Sequence, residues 1–402
     1  MERSRIDELL RVYRAGLLED VVPFWTRHGV DREHGGFLTC LDRDGTVLDT
    51  DKGVWVQARA TWLFATLYLA VERREEWLEL ARGGIQFMRA HCFDTDGRMF
   101  FQVTRDGRPL RKRRYVFTEA FGAIAFAAWA RASGDGRAAE EARALFRLVL
   151  RCAREPERLE PKGVPGTRPT KSLGMPMILL ATAQVLRATI DEPLADECIE
   201  RCIEEIRRDF MRADVRAVME TVGPNGERID HFDGRLLNPG HALEAAWFML
   251  EEARHRGGDA ALVETATTIL DWTWERGWDA EHGGILYFCD VHGLPVQEYW
   301  HDMKFWWPQT EAIQATLMAH LATGEERYER WHMLAHDWAY AHFPDPEHGE
   351  WFGYLHRDGR LSVPLKGNLW KGPFHLPRMQ LYCWKILERA QAGAPHGDTL
   401  EV

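Results

Sequence analysis

Three segments of the chain place histidine, glutamate and arginine close to a proline, where a loop is expected to lead into a helix. They are Asn238-Pro239-Gly-His241-Ala-Leu-Glu244, Trp306-Trp307-Pro308-Gln309-Thr310-Glu311 and Pro373-Phe-His375-Leu-Pro377-Arg378. Proline is favoured at the first position of a helix, because the N–H that it lacks would have no partner there. Imidazole changes its charge near neutral pH, so histidines at such junctions are suited to acid–base chemistry without a cofactor.

The first junction predicts where one of these histidines lies. Asn238 is a suitable N-cap, which places His241 in the first helical turn with Glu244 on the same face. A helix amino terminus disfavours an imidazolium, whereas a nearby carboxylate favours it. The direction of the net pKa shift of His241 is therefore left open by the sequence.

An earlier helix carries Trp55, Arg59 and Trp62 at the spacing of one helix face. Either the guanidinium lies in a pocket between two indoles, or Arg59 pairs with a core carboxylate and the tryptophans are packing. The chain has 17 tryptophans, and flat aromatic faces bury the C–H surfaces of sugars well. Packing accounts for most of them, but Trp306 and Trp307 are the pair best suited to a carbohydrate site.

Several common motifs are missing from the sequence. It has no GxGxxG after a predicted strand, no P-loop, no HExxH and no GxSxG. Their absence argues against nucleotide-dependent redox chemistry, NTP hydrolysis and a nucleophile elbow. His332 and His336 have the spacing of a metal clip but no third ligand in sequence, so no metal site is predicted. The seven cysteines form no CxxC, which indicates free thiols.

A repeat indicates which elements position these residues. Three segments share one pattern: Asp31-Arg-Glu-His-Gly-Gly-Phe37, Asp279-Ala-Glu-His-Gly-Gly-Ile285 and Asp345-Pro-Glu-His-Gly-Glu-Trp351. Each is followed by alternating apolar residues and a polar turn such as Asp44-Gly45, and a looser copy begins at Asp94. Glycine supplies the positive φ that tight hairpin turns need, so the pattern predicts short β-hairpins.

The spacing of the repeat predicts the fold class. The copies begin at residues 31, 94, 279 and 345, and the middle gap has room for further units of similar length. Between hairpins the chain shows the periodicity of helices. Six units of one hairpin and two helices give about twelve helices, which favours an all-α (α/α)6 toroid over an open helical solenoid. We expect one domain over residues 1–402 with a flexible tail at 391–402, and inner helices that begin at one mouth.

The composition bounds the class of protein. Of the 402 residues, 45% are hydrophobic and 28% are charged, and 51 basic against 62 acidic side chains give a net charge of −11. This balance is typical of globular proteins, and a negative chain is a poor partner for nucleic acid. The amino-terminal segment indicates an amphipathic helix rather than a signal peptide, and no apolar run is long enough to span a membrane. We therefore expect a cytoplasmic protein without membrane contact.

The three junctions lie in the segments Leu237–Phe248, Trp306–Glu311 and Trp370–Arg378, which together with Trp55-Val-Gln-Ala-Arg59 resemble sequence blocks of the N-acylglucosamine 2-epimerase family. The likeness runs over about residues 31–385 with the blocks in the family's order. It implies an (α/α)6 barrel, a sugar substrate, no cofactor and a homodimer. It also implies roles: His241 and His375 as acid–base histidines, with Arg59 and Glu311 as further catalytic residues. The substrate-binding positions implied by the resemblance and the Trp pattern are Glu244, Arg378, Trp55, Trp306, Trp307 and Gln309.

The implied reaction is inversion at C2 of an aldose. In the open-chain sugar one histidine removes the C2 proton from one face, and the other returns a proton to the opposite face. Arg59 would stabilise the negative oxygen of the intermediate. The expected substrates are N-acyl-D-glucosamine and N-acyl-D-mannosamine. The alternatives are epimerisation or isomerisation of glucose, mannose or cellobiose, which Gln309 favours, and glycoside hydrolysis.

Overall fold

The computed structural model describes residues 1–112, 115–161, 164 and 166–393, and most of them are helical. Two π-helical segments interrupt or extend helices: Gly16–Val21 joins the first two, and Ile206–Phe210 extends the eighth. The α-helical segments are α1 Arg3–Ala15, α2 Val22–His28, α3 Val54–Ala70, α4 Glu75–His91, α5 Phe117–Ser133, α6 Gly136–Arg154, α7 Gly174–Ile190, α8 Ala195–Glu205, α9 Phe232–Arg235, α10 Pro239–His255, α11 Ala260–Gly277, α12 Trp306–Thr323, α13 Glu326–His342 and α14 His375–Ala392.

The helices form two concentric layers. The inner helices α3, α5, α7, α10, α12 and α14 are buried around most of their circumference, as expected for helices that are apolar on nearly every face. The outer helices are amphipathic; α6, for example, buries Ala138, Ala142, Leu145 and Val149 at intervals of three and four residues. Consecutive inner helices pack against each other from α3 to α14, and α1 packs against α14 where the ends of the chain meet. The predicted (α/α)6 toroid is confirmed.

Short strands connect the layers. They are β1 Cys40–Leu41, β2 Val47–Asp49, β3 Lys52–Gly53, β4 Gln102–Val103, β5 Pro109–Arg111, β6 Lys171–Ser172, β7 Met211–Arg212, β8 Ala217–Val218, β9 Thr221–Val222, β10 Leu236–Leu237, β11 Cys289–Asp290, β12 Lys304–Phe305, β13 Tyr354–Leu355 and β14 Leu361–Val363. The predicted hairpins form as β1–β2, β4–β5 and β13–β14.

The copy that begins at Asp279 differs from the prediction. Its strand β11 pairs with β10 of the preceding unit instead of forming its own hairpin. The chain turns at Gly293 but continues into Pro295, which has no N–H to donate to a β-ladder. The segment that follows leads to Trp300, a residue that lines the central cavity.

The repeated aspartate explains what the repeat stabilises. Each is almost fully buried and ion-paired at 2.7–3.0 Å with a buried lysine of its own unit and an arginine of a hairpin in the next unit. The three clusters are Asp31–Lys52–Arg105, Asp279–Lys304–Arg357 and Asp345–Lys366–Arg43. Because Arg43 lies in the first unit and Asp345 in the last, the third cluster joins the two ends of the ring.

The carboxyl-terminal end of the described chain is helical. Helix α14 includes Gln391 and Ala392 and is followed by Gly393 in the left-handed conformation, which is a common helix stop. The rest of the predicted tail, residues 394–402, lies outside the described residues. In the described part of the chain no helix is both long and apolar enough to cross a lipid bilayer.

Candidate active site

The amino-terminal turns of the six inner helices surround one cavity. Its volume is about 670 Å³, within the usual range for small-molecule sites. Helices α3, α10 and α14 contribute its charged side chains, the indoles come from α3, α10, α12 and two loops, and α5 and α7 contribute mainly apolar side chains. The proline-marked junctions therefore meet at one mouth.

His241 lies in the first turn of α10, as the sequence predicts. The side chain of Asn238 accepts a hydrogen bond from the His241 backbone N–H, at 3.3 Å, and so caps the helix. The ring Nδ1 lies 2.9 Å from Oε2 of Glu220, a residue from a strand-rich loop 21 positions earlier. Burial lowers the pKa of His241, but the charge and hydrogen bond of Glu220, with smaller effects of Glu244 and Glu311, raise it overall. The net shift in the pKa of His241, whose direction the sequence left open, is therefore upward.

His375 is the first residue of α14 and lies in the opposite electrostatic setting. Its Nδ1 is 2.8 Å from Oε1 of Glu311 and 3.4 Å from a guanidinium nitrogen of Arg378. Burial lowers the pKa of His375 well below its ordinary value, and although Glu244 raises it, Arg378 and Arg59 lower it further. His241 therefore retains a proton to higher pH than His375 does.

A buried network holds His375 in place. One Arg378 nitrogen donates to Oε1 of Glu244 and to both oxygens of Glu311, each at 2.8 Å. The indole N–H of Trp247 donates to Oε2 of Glu311 at 2.7 Å. Glu311 is only 1% exposed and is not among the residues that line the cavity, so it contacts His375 from behind. Ligand atoms of Glu244, Glu311 and His375 lie within 4.8 Å of one another, a spacing that also suits a metal ion, but the Arg378 guanidinium already bonds both carboxylates.

Arg59 lies in an aromatic cage and shares one of its rings, Phe374, with Arg378, whose guanidinium carbon is 4.6 Å from the same ring centre. The Arg59 guanidinium carbon is 4.1 Å from the ring centre of Phe121, 4.2 Å from that of Trp55 and 4.5 Å from that of Phe374. Within the described residues it has no hydrogen bond or ion pair, which excludes the interpretation that Arg59 pairs with a core carboxylate. Burial lowers the pKa of Arg59 to about 9, although Glu244 partly offsets this. A cation without a partner, lining a cavity, is suited to an anionic oxygen.

The predicted tryptophans line the cavity. The ring of Trp307 lies between the two histidines, with centres 5.4 Å from His241 and 5.5 Å from His375. Trp306 and Trp55 also line the cavity, and Trp55 meets Trp370 edge to face at 5.5 Å. An aromatic surface beside both imidazoles is suited to the apolar face of a sugar.

Gln309 requires a correction, because it does not line the cavity. Its side chain is 0% exposed; Oε1 accepts from the N–H of Ile285 at 2.7 Å, and Nε2 donates to the carbonyl of Ile285 at 2.8 Å. Gln57 makes the same pair of bonds to Phe37 at 2.7 and 2.8 Å. Both glutamines brace the loop of the repeated motif, so the predicted substrate contact of Gln309 is wrong.

Comparison with known proteins agrees with this geometry. The model of the N-acylglucosamine 2-epimerase (GlcNAc 2-epimerase) family matches residues 36–375. The chain is 38% identical to N-acylglucosamine 2-epimerase of Bos taurus and 36% identical to that of Mus musculus, over 96% of this chain and 93–94% of the relatives. The chain belongs to the N-acylglucosamine 2-epimerase family. As a member it is a carbohydrate epimerase, that is, an isomerase.

The chain is more distantly similar to cellobiose 2-epimerases, and it shares their fold. Cellobiose 2-epimerase of Eubacterium cellulosolvens is 23% identical over 92% of this chain and 96% of that protein. The solved structure of cellobiose 2-epimerase from Spirochaeta thermophila superposes with a TM-score of 0.84 at 24% identity, covering 97% and 99% of the two chains.

Sequence reasoning missed several residues of this epimerase site. Glu220 contacts His241 from an irregular segment, and Tyr287, Trp300, Trp370 and Phe374 line the cavity from loops or helix caps. Trp370 and Phe374 belong to the third family block, which was a usable signal. Nothing in the local sequence distinguishes Glu220 from other loop glutamates.

Proposed function

We propose that this epimerase interconverts N-acyl-D-glucosamine and N-acyl-D-mannosamine by deprotonation and reprotonation at C2 of the open-chain sugar. The observation that carries the proposal is the pair of histidines beside one cavity, one with a raised and one with a lowered pKa. A reaction that removes one proton and delivers another needs a base and an acid at the same time. His375 in its neutral form supplies the base, and His241 as an imidazolium supplies the acid.

Charge develops on oxygen during this step. Removal of the proton next to the carbonyl turns the sugar into an enolate or enediolate, whose oxygen is stabilised by fixed positive charge. Arg59 is suited to this role because its guanidinium lines the cavity and carries no carboxylate partner within the described residues. Glu244, held by Arg378, is available to hold a sugar hydroxyl or amide. When the reverse reaction runs, the two histidines exchange roles.

The acyl-sugar substrate is supported over the plain hexoses and cellobiose. Relatives named for N-acylglucosamine are 35–38% identical, whereas those named for cellobiose are 23–24% identical. The sequence argument for the hexose branch depended on Gln309, whose side chain is used to brace Ile285. That argument therefore no longer favours a plain hexose.

Glycoside hydrolysis fits the site poorly. It would need one carboxylic acid and one carboxylate with room for the glycosidic bond between them. Glu244 and Glu311 are the nearest candidates, and both are hydrogen-bonded to Arg378 at 2.8 Å. Hydrolysis would also leave both histidines without a role.

We also propose a homodimer in the cytoplasm that does not bind nucleic acid. The net charge of −11 supports the last point. Light scattering of the purified protein tests the dimer directly.

Incubation of N-acetyl-D-mannosamine and of D-mannose with the protein in D2O tests the function. We expect proton NMR to detect N-acetylglucosamine with deuterium at C2, without added cofactor. Conversion of mannose alone would move the protein to the hexose branch, and release of a reducing end from an oligosaccharide would instead support hydrolysis.

A further inference from the structure

Glu220 is held rigidly between two elements of the barrel. It lies directly before strand β9, its backbone carbonyl accepts from the N–H of Leu173 at 3.0 Å, and its own N–H donates to the carbonyl of Leu236 at 3.4 Å. Leu173 precedes α7, and Leu236 begins the strand that leads into α10. The side chain is 14% exposed and reaches Nδ1 of His241. A glutamate anchored by its backbone on both sides has little freedom to leave that contact.

The two carboxylate–histidine pairs are not equivalent. Glu311 divides its oxygens among His375, Arg378 and Trp247, so the arginine already neutralises its charge. Glu220 has no cation other than His241 within 4 Å among the described residues. Its negative charge therefore acts on one imidazole alone, and the ring is fixed with Nε2 as the nitrogen free to exchange a proton.

We propose that Glu220 is the positioning residue of the acid histidine: it fixes the ring of His241 through Nδ1 and makes His241, rather than His375, the carrier of the single catalytic proton in the resting enzyme. The inference deepens the proposed function and rests on it. It also assigns the order of events: His375 is the base in the direction that starts from the resting form, and the reverse direction starts from the minor form with the proton on His375.

The charges that face His241 come from several elements. Glu244 is on its own helix α10, Glu311 is on α12, and His375 of α14 interacts electrostatically with His241. Of these, Glu220 has the largest effect that raises the pKa of His241, and it opposes the lowering caused by burial. Without the Glu220 charge, burial should dominate and the imidazolium should be lost at lower pH.

Glu220→Gln removes the charge and keeps the shape of the side chain. We expect kcat to fall about 10- to 100-fold with little change in KM, within the range of general acid–base effects. We expect the alkaline limb of the pH profile to move to lower pH by about one unit or more. Interconversion of two neutral sugars consumes no proton. The alkaline limb must therefore move by the same amount for the forward and the reverse epimerisation. A merely structural role would not move the limb.

The matched control is Glu227→Gln, which changes a glutamate in the turn after β9 that contacts Asn225 and not the cavity. It should keep the wild-type profile. Glu220→Asp keeps the charge but withdraws it by one methylene, so it should shift the limb in the same direction by less. If Glu220→Gln does not fold, the alkaline limb of Glu220→Asp is the measurement that tests the inference.

A second readout does not depend on turnover. In protein labelled with ¹⁵N-histidine, NMR titration should show a lower pKa for His241 in Glu220→Gln than in the wild type, with the signal assigned from a His241→Gln spectrum. If the titration and the alkaline limb both coincide with those of the wild type, the inference is wrong. If the titration shifts but the wild type epimerises no sugar, the proposed function fails while the contact stands.

Discussion

Replacement of Arg59 by methionine should have opposite effects on stability and on catalysis. Burial lowers the pKa of Arg59 from its ordinary value to about 9, which corresponds to a destabilisation of the charged form by about 4–5 kcal/mol at 1.36 kcal/mol per pKa unit. The three aromatic rings that contact the guanidinium offset part of this destabilisation, by about 2 kcal/mol for a desolvated cation–π contact. Methionine fills a similar volume without a charge, so the free energy of unfolding should rise by about 1–3 kcal/mol.

Catalysis should suffer from the same change. If Arg59 stabilises the oxygen anion of the intermediate, its loss should lower kcat by about 10²–10³-fold, the effect of removing one oxyanion donor. The assay is epimerisation of N-acetyl-D-mannosamine followed by NMR, with urea unfolding of the same preparations. Arg137→Met serves as control, because Arg137 is a largely exposed residue of α6. A variant that keeps the wild-type kcat, or that loses several kcal/mol of stability, would refute this reasoning.

Three further predictions follow from the same contacts. Gln309→Ala should destabilise the fold by about 1–3 kcal/mol, because two buried backbone groups of Ile285 lose their partner, and KM should stay unchanged; a raised KM with full stability would restore the predicted substrate contact. Lys366→Met should cost about 3–5 kcal/mol in urea unfolding, because it removes one partner of a fully buried ion pair with Asp345; an effect no larger than that of exposed Arg360→Met would contradict this. Activity should persist well below pH 6.5, because burial lowers the pKa of His375 and a base stays neutral until the pH falls through its folded pKa; an acid limb at the ordinary histidine value would contradict this.

The fold was predictable because its signals are local and repeated. The Asp-x-Glu-His-Gly loops mark three of the units, and the structure shows why: the aspartate is the buried centre of a cluster that joins successive units. The N-cap of His241 was predictable for the same reason, since Asn238 lies three residues away. In both cases the residues that signal the structure lie in one turn or one motif, although the ion pairs of the aspartates reach into other units.

The parts of the site that depend on tertiary contacts were not predictable. Glu220 meets His241 only because the loop before β9 is tied to the starts of α7 and α10. Gln309 was misassigned because its neighbours Trp307 and Glu311 belong to the site, while its own side chain points to Ile285. Side chains adjacent in sequence on a helix face different surroundings, and only the packing of the barrel decides which one reaches the cavity.

The most direct test of the two-histidine scheme is solvent exchange at C2 in the His241→Asn and His375→Asn variants. Each pure epimer of N-acetylhexosamine is incubated in D2O, and loss of the C2 proton is followed by NMR separately from conversion. The account predicts that neither variant epimerises, and that each exchanges the C2 proton of one epimer only, a different epimer for each variant. Exchange of both epimers by a single variant, or epimerisation by either one, would contradict a mechanism with one histidine on each face of the sugar.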